Sequence, residues 1–183
     1  MSLSSYFYWN NFFLPEEIKT INSLINKHKD KKEDEHLKSS NAPKTSTVYP
    51  IRLIYLKDVL KKALGALMIN NQDNFGYNIF DWSDEMYVNF NVYKKGQEYE
   101  WHRDSGVGKS SDVKLTALIN LSDKSFRGGE LSLLDSIEAT PVPELNGAGS
   151  MVIFNSFTLH KVNPITQGTR KTLTIFITGP SFK

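Results

Sequence analysis

The chain contains no cysteine. Disulfides and thiolate metal sites are therefore excluded, and any metal must be held by nitrogen or oxygen from histidine, aspartate or glutamate. Long apolar runs are missing too, since no stretch approaches the ~20 residues that a bilayer span needs. Met1-Ser2-Leu3-Ser4-Ser5 lacks the basic start and apolar run of a signal peptide. These absences point to a soluble, cytoplasmic protein with no membrane partner. The net charge of +2 is too small to argue for nucleic acid by itself. Histidine is scarce, with four among 183 residues, so each can be weighed individually. What the chain does have is 39% hydrophobic and 12% aromatic residues, a composition that folds. Its length suits one domain, 1–183, with a core of its own.

Along the chain the hydrophobic period changes once. Ile18, Ile21, Leu24 and Ile25 recur at helical spacing behind Pro15 and predict an amphipathic helix over about 15–27. His28 ends that stripe and reads as a partly packed surface histidine. The segment from Lys27 to Lys38 holds five lysines and four acids around His36, the pattern of a solvated segment. It runs into Ser39-Ser40-Asn41-Ala42-Pro43, a loop signature, with a lid over a site as the alternative. Arg52 to Tyr55 reads as a short strand. Asp58 reads as the N-cap of a second helix, whose stripe is Val59, Leu60, Ala63, Leu64, Leu67 and Met68. Asn70, Asn71, Asp73, Asn74 and Gly76 end it.

From Trp82 onward the period is two. Met86, Val88, Phe90 and Val92 alternate with Tyr87, Asn89, Asn91 and Tyr93. Runs at 114–121, 130–134, 151–154 and 171–178 behave alike, with glycine-rich or polar turns between them. The expectation is a mainly β fold with N-terminal helices (α+β). Residues 81–183 would form a jelly-roll core, and residues 1–80 would supply helices packed outside it.

His102 and Asp104 stand two positions apart, so an extended strand would turn both to one face. A histidine and an aspartate make two thirds of the facial triad that holds non-haem Fe(II) and leaves positions open. With His28 and His36 in the charged front, His160 remains as the third ligand, following the apolar run 151–154. Arg170, Thr172 and Thr174 share one face of the last strand, and Leu173, Ile175 and Ile177 the other. A guanidinium inside a barrel needs an anion, and its fork matches a carboxylate. Singly, each group has a structural reading: a hydrogen-bonded His–Asp pair, a strand cap, a bridge to a surface acid.

Tyr93-x-x-Gly96-x-x-Tyr99-x-x-His102-x-Asp104 resembles the core motif of 2-oxoglutarate and Fe(II)-dependent dioxygenases of the prolyl-4-hydroxylase-like branch. Residues 115–121 with Gly128-Gly129-Glu130-Leu131, and Leu159-His160-x-Val162-x-Pro164 through Gly168-x-Arg170, are similar to that branch's later strands. The resemblance covers about 58–182 and implies a double-stranded β-helix, the jelly-roll barrel also found in cupins. It implies that His102, Asp104 and His160 ligate Fe(II). It implies that Arg170 holds the far carboxylate of 2-oxoglutarate, with Thr172 as a second contact and Tyr93 as a hydroxyl donor. Asn89 and Asn91 share the facing of Tyr93 and are candidate pocket residues. Asn120 stands where some relatives carry a tyrosine and is a third candidate. No catalytic group beyond the metal centre is implied.

The implied reaction consumes O₂ and 2-oxoglutarate, releases succinate and CO₂, and hydroxylates an amino-acid side chain, with ascorbate as the reductant. The implied partner is a protein, peptide or free amino acid, prolyl above all. Nucleic acid is disfavoured, because Phe176 stands where demethylases of the AlkB type resemble a second arginine. The alternatives are an oxygenase of the same class acting on a small molecule, a non-catalytic binding barrel, and a zinc hydrolase. The intact triad together with Arg170 argues against the binding barrel, and a zinc hydrolase leaves Arg170 without an evident purpose. The glycine- and serine-rich stretch 105–112 reads as a mobile rim or as an ordinary hairpin loop.

Overall fold

The structure, a computed structural model, describes residues 5–29, 44–106, 112–134 and 137–181. In chain order the strands and helices are β1 (Tyr6–Trp9), α1 (Pro15–His28), β2 (Thr47–Arg52), α2 (Lys57–Asn70), β3 (Tyr87–Lys94), β4 (Tyr99–His102), β5 (Val113–Asn120), β6 (Arg127–Gly128), β7 (Leu131–Leu134), β8 (Thr140–Pro141), β9 (Met151–Asn155), β10 (Leu159–Val162), β11 (Ile165–Gln167) and β12 (Thr169–Thr178). Six strands form one antiparallel sheet in the order β1-β9-β5-β12-β3-β2, and four form a second in the order β4-β10-β7-β8. This is the two-sheet jelly roll that the alternating runs predict.

The six-stranded sheet has two apolar faces with different partners. Val88, Phe90, Leu115, Ala117, Ile119, Leu173, Ile175 and Ile177 meet Ile18, Ile21 and Ile25 of α1 and Leu60, Ala63, Leu64 and Leu67 of α2. Fully burying each such aliphatic side chain contributes roughly 1.5–3 kcal/mol, which explains why two short helices hold firmly to the sheet. Glu17 ties the pair together. Its carboxylate accepts from the Leu14 N–H at 2.7 Å and pairs with Lys62 of α2 at 2.7 Å. The opposite face carries Tyr93, Leu118, Val152 and Phe154, which pack on Leu131, Leu133 and Val162 of the four-stranded sheet. Charged residues such as Asp104 and Arg170 interrupt this second core, and the site lies among them.

Several local expectations need correction. Arg52 to Tyr55 is not a strand: β2 ends at Arg52, and Leu53–Tyr55 is a single 3-10 turn. Asp58 does not cap α2, which starts at Lys57 behind Leu56, and lies instead in the first turn. There its charge still suits the helix N-terminus. The polar run after Asn70 first widens into a π-turn, Asn71–Phe75, before Gly76 stops it with φ +69°. The N-terminal aromatics form β1, an edge strand paired along Tyr6–Trp9 with β9. Residues 1–80 thus supply two strands of the larger sheet as well as its helical cover. No helix among the described residues is long and apolar enough to cross a membrane.

Candidate metal centre

His102 closes β4 and His160 lies in β10, and the two are Cα partners across that antiparallel pair. Their rings stand 4.0 Å apart. Asp104 follows just past the strand end, where its N–H and that of Ser105 both donate to the Ser156 carbonyl, at 3.0 and 3.1 Å. That anchor, more than strand alternation, turns its carboxylate inward. Asp104 Oδ1 lies 3.6 Å from His102 Nε2, and Oδ2 lies 3.3 Å from His160 Nε2. One ligand atom from each of the three residues lies within 4.8 Å of the others, and both imidazoles are nearly buried.

The backbone fixes which imidazole nitrogen is free. His102 Nδ1 is 2.7 Å from the Glu100 carbonyl, and His160 Nδ1 is 2.9 Å from the Thr158 carbonyl. A carbonyl only accepts, so each Nδ1 carries the proton and each Nε2 presents a lone pair. Burial, aided by the neighbouring His160, lowers the His102 pKa to about 4 against the pull of Asp104. The ring is therefore neutral, as a metal ligand must be. Burial alone would raise the Asp104 carboxyl. The two imidazoles and the Thr116 hydroxyl, which donates to Oδ2 at 2.6 Å, outweigh it and hold the acid below the usual carboxylate range. Two neutral imidazoles and one carboxylate on converging vectors fit a divalent first-row ion.

Arg170 and Tyr93 are cross-strand partners in β12 and β3. The guanidinium carbon stands 5.5 Å from the tyrosine ring centroid, a cation–π contact. Arg170 is 2% exposed, and among the described residues it makes no ion pair. Burial lowers its pKa, with Tyr93 and Glu130 opposing. Tyr93 is raised by burial and drawn back by Arg170. The turn at Gly128-Gly129 crosses the arginine stem. Gly129 has φ +72°, and a Cβ there would lie 2.9 Å from Arg170 Cδ. A buried guanidinium that makes no ion pair among the described residues fits an incoming carboxylate.

The three ligands, Arg170, Tyr93, Thr172, Asn89 and Asn91 all line one cavity between the sheets, with about 40 Å³ of open space. That volume admits only a few waters, so a dicarboxylate enters by displacing side chains. Asn120 is a correction. It shares the facing of Leu118, but its amide donates to the Leu145 and Asn146 carbonyls at 2.9 and 3.1 Å. Its oxygen accepts from the Ser122 N–H at 2.9 Å. It braces the Pro143–Asn146 turn and is absent from the cavity wall. Trp101 and Arg103 turn outward, toward Lys161 and the Phe157 carbonyl. Of the two lid expectations, 30–38 and 107–111 lie outside the described residues.

Sequence reasoning missed Thr116 and Lys44, and placed Thr174 on the face of Arg170 without giving it a role. Thr116 and Thr174 were legible in principle, since each shares the facing of a named pocket residue on its strand. Lys44 carried no signal, because it follows a loop signature. A wider groove of about 1080 Å³ runs beside α1, past Lys19, Asn22 and Asp123. Among the described residues, only His102, Asp104 and His160 are grouped to hold a metal.

Residues 88–178, about half of the chain, match the 2OG-Fe(II) oxygenase superfamily. The chain belongs to that superfamily. The chain is 38% identical over 88 residues to a PKHD-type hydroxylase of Cupriavidus metallidurans, covering 44% of this chain and 38% of that protein. It is 37% identical over 94 residues to one of Teredinibacter turnerae, covering 48% and 41%. It therefore spans about two fifths of the length of these curated relatives. In fold it is similar to a Pseudomonas putida prolyl-4-hydroxylase, with TM-score 0.72, 16% identity, and 97% and 94% of the two chains covered. It is also similar to a viral collagen prolyl hydroxylase of Paramecium Bursaria Chlorella virus-1, with TM-score 0.69, 18% identity and 97% of each chain covered. A Trichoplax adhaerens prolyl hydroxylase, solved with a hypoxia inducible factor peptide fragment, gives TM-score 0.74 at 16% identity over 95% and 83% of the chains. The chain thus has the double-stranded β-helix fold.

Proposed function

We propose that the protein is an Fe(II)- and 2-oxoglutarate-dependent dioxygenase that hydroxylates an amino-acid side chain, prolyl in a protein or peptide, with release of succinate and CO₂. One observation carries this reading: the His102-Asp104-His160 cluster and the Arg170 guanidinium, which makes no ion pair among the described residues, line the same cavity. The similarity to PKHD-type hydroxylases and to a prolyl hydroxylase solved in complex with a peptide fragment supports the substrate class. Residues 1–183 would act as one oxygenase domain. The core at 81–183 would hold the ligands, and 1–80 would support it.

His102, Asp104 and His160 would hold the ion, and Arg170, Thr172 and Tyr93 would hold the distal carboxylate of 2-oxoglutarate. Asn89 and Asn91 would line the slot between. When bound, Fe(II) and 2-oxoglutarate supply the oxidising power from O₂, with ascorbate keeping the iron reduced. The chain's own share is positional. The Nδ1–H donors to Glu100 and Thr158 keep both lone pairs aimed, Thr116 orients the carboxylate, and the sheets' apolar side chains exclude water. A zinc hydrolase would use the same three ligands but would leave Arg170 idle.

The test is purified protein with Fe(II), ascorbate, O₂ and 2-oxoglutarate, assayed for succinate with and without proline-containing peptides. Succinate formation and a one-oxygen mass gain in a peptide are expected. The oxygenase reading fails if no succinate forms and metal-loaded protein does not bind 2-oxoglutarate.

A further inference from the structure

Lys44 brings a second cation to the cavity. It stands ahead of β2 and is strapped to β4 by a bridge to Tyr99. The adjoining Thr45 N–H donates to the Glu98 carbonyl at 3.1 Å, and the Glu98 N–H donates to Thr45 Oγ1 at 2.8 Å. Lys44 Nζ donates to Asn91 Oδ1 at 2.9 Å and lies 4.6 Å from the Tyr99 ring centroid. Neither partner is an anion, and among the described residues Lys44 makes no ion pair. Burial lowers its pKa to about 8, with Asp104 opposing. The ammonium still predominates at neutral pH.

With a divalent ion and 2-oxoglutarate in place, the Lys44 ammonium leaves the cavity lining with one unmatched positive charge. The charged side chains that line the cavity are Lys44, Arg170 and Asp104. A divalent ion would be offset by Asp104 and one carboxylate of 2-oxoglutarate, and Arg170 by the other carboxylate. That leaves the half-buried Lys44 ammonium with, among the described residues, a neutral amide and an aromatic ring beside it. A cation partly withdrawn from water without a counter-charge is costly, and an incoming carboxylate removes the cost. A neutral substrate does not.

We propose that Lys44 receives a carboxylate of the primary substrate, so that the molecule hydroxylated here carries an anionic group beside its reacting carbon. That group is the side-chain carboxylate of an acidic residue next to the target prolyl of a peptide or, where the substrate is a free amino acid instead of a peptide, its α-carboxylate. The proposal rests on the oxygenase reading and names the substrate class of the same site.

The test uses the full chain loaded with Mn(II) and 2-oxoglutarate without O₂. The probes are the free L-amino acids, their C-terminal amides, and the N-acetyl amides of aspartate, glutamate, asparagine and glutamine. Binding is followed by ligand-observed NMR and thermal melting. At least one carboxylate probe is expected to bind at least tenfold more tightly than its neutral partner. Lys44→Gln and Lys44→Met should abolish that preference while 2-oxoglutarate affinity changes by less than about twofold. Retention of the stem in Lys44→Met separates lost charge from lost packing, and the melting temperature of each variant reports its folding. Free acids binding while acetylated acidic residues do not assigns an amino-acid substrate, and the reverse assigns an acidic peptide. Equal binding of acids and neutral partners, no carboxylate binding, or a tenfold loss of 2-oxoglutarate affinity in Lys44→Met overturns the proposal. Failure of wild-type protein to bind 2-oxoglutarate at all overturns the oxygenase reading itself.

Discussion

Thr116 donates its hydroxyl hydrogen to Asp104 Oδ2 at 2.6 Å, so one short contact fixes the only carboxylate of the cluster. The same oxygen lies 3.3 Å from His160 Nε2. The donor therefore sets the angle at which Asp104 and His160 converge. Thr116→Val keeps the β-branched shape and removes only the donor. Metal affinity is expected to fall ~10–100-fold, as for other hydrogen bonds behind a metal ligand. Titration with Mn(II) followed by electron paramagnetic resonance measures it, and an unchanged affinity would show that Asp104 is positioned by its backbone anchor alone.

Loss of a ligand should exceed that effect. His102→Ala removes one of three donors and is expected to lower metal affinity by more than about 100-fold, with succinate formation lost in parallel. His28→Ala is the control, because His28 stacks on Tyr55 at 4.0 Å, outside the cavity. Its metal affinity should match wild type.

Arg170 separates co-substrate binding from metal binding. A bidentate guanidinium–carboxylate contact has two charge-assisted hydrogen bonds, each ~1.5–3 kcal/mol. Arg170→Ala is therefore expected to raise the dissociation constant for 2-oxoglutarate about 100-fold or more while Mn(II) affinity holds within a few-fold. Calorimetry on Mn(II)-loaded protein reads both. Equal 2-oxoglutarate affinity in wild type and variant would remove Arg170 from the site.

Much of this site was visible in the sequence because strand alternation is a strict rule. Once β12 is recognised, Arg170, Thr172 and Thr174 must face together, and Leu173, Ile175 and Ile177 must face the helices. The same rule places Asn89, Asn91 and Tyr93 in the cavity and Val88 and Phe90 outside it. Alternation gives facing but not hydrogen-bond partners, so it could not reveal that Asn120 is committed to the Leu145 and Asn146 carbonyls. It also says nothing about residues outside strands. Lys44 reaches the cavity because the bridge to Tyr99 carries it there, a long-range pairing with no local pattern. Likewise β1 was hidden, because four consecutive aromatics, Tyr6 to Trp9, show no alternation in hydrophobicity.

Gly129 gives a test of the turn that supports Arg170. Its φ of +72° disfavours any side chain, and a Cβ there would lie 2.3 Å from Ile165 Cδ1 and 2.9 Å from Arg170 Cδ. Gly129→Ala should cost ~1–3 kcal/mol from backbone strain alone. Because one clash falls on the arginine stem, 2-oxoglutarate affinity should also fall, by more than in an equally destabilised helix variant such as Leu60→Ala. A loss of stability with unchanged 2-oxoglutarate affinity would show that the stem relocates without moving the guanidinium.

The metal-free protein should respond to pH through the same cluster. His102 is held near a pKa of about 4 by burial, first, and by His160, whereas an unfolded histidine titrates near ~6.5. Between these values the unfolded chain binds more protons than the folded one. Stability must therefore rise with pH across this window and be lost as pH falls from about 6.5 to about 4. Asp104, held below the usual carboxylate range, acts in the same direction at the acidic end. A shift of this size corresponds to an upper bound on the order of 3 kcal/mol. Urea unfolding of the metal-free protein at pH 7.5, 6 and 5 measures the slope, and His102→Gln should flatten it. Saturating Mn(II) should steepen the acid loss, because protons then compete with the ion for Nε2. A slope that is the same in wild type and His102→Gln would mean that other groups carry the acid sensitivity and that His102 titrates normally in the fold.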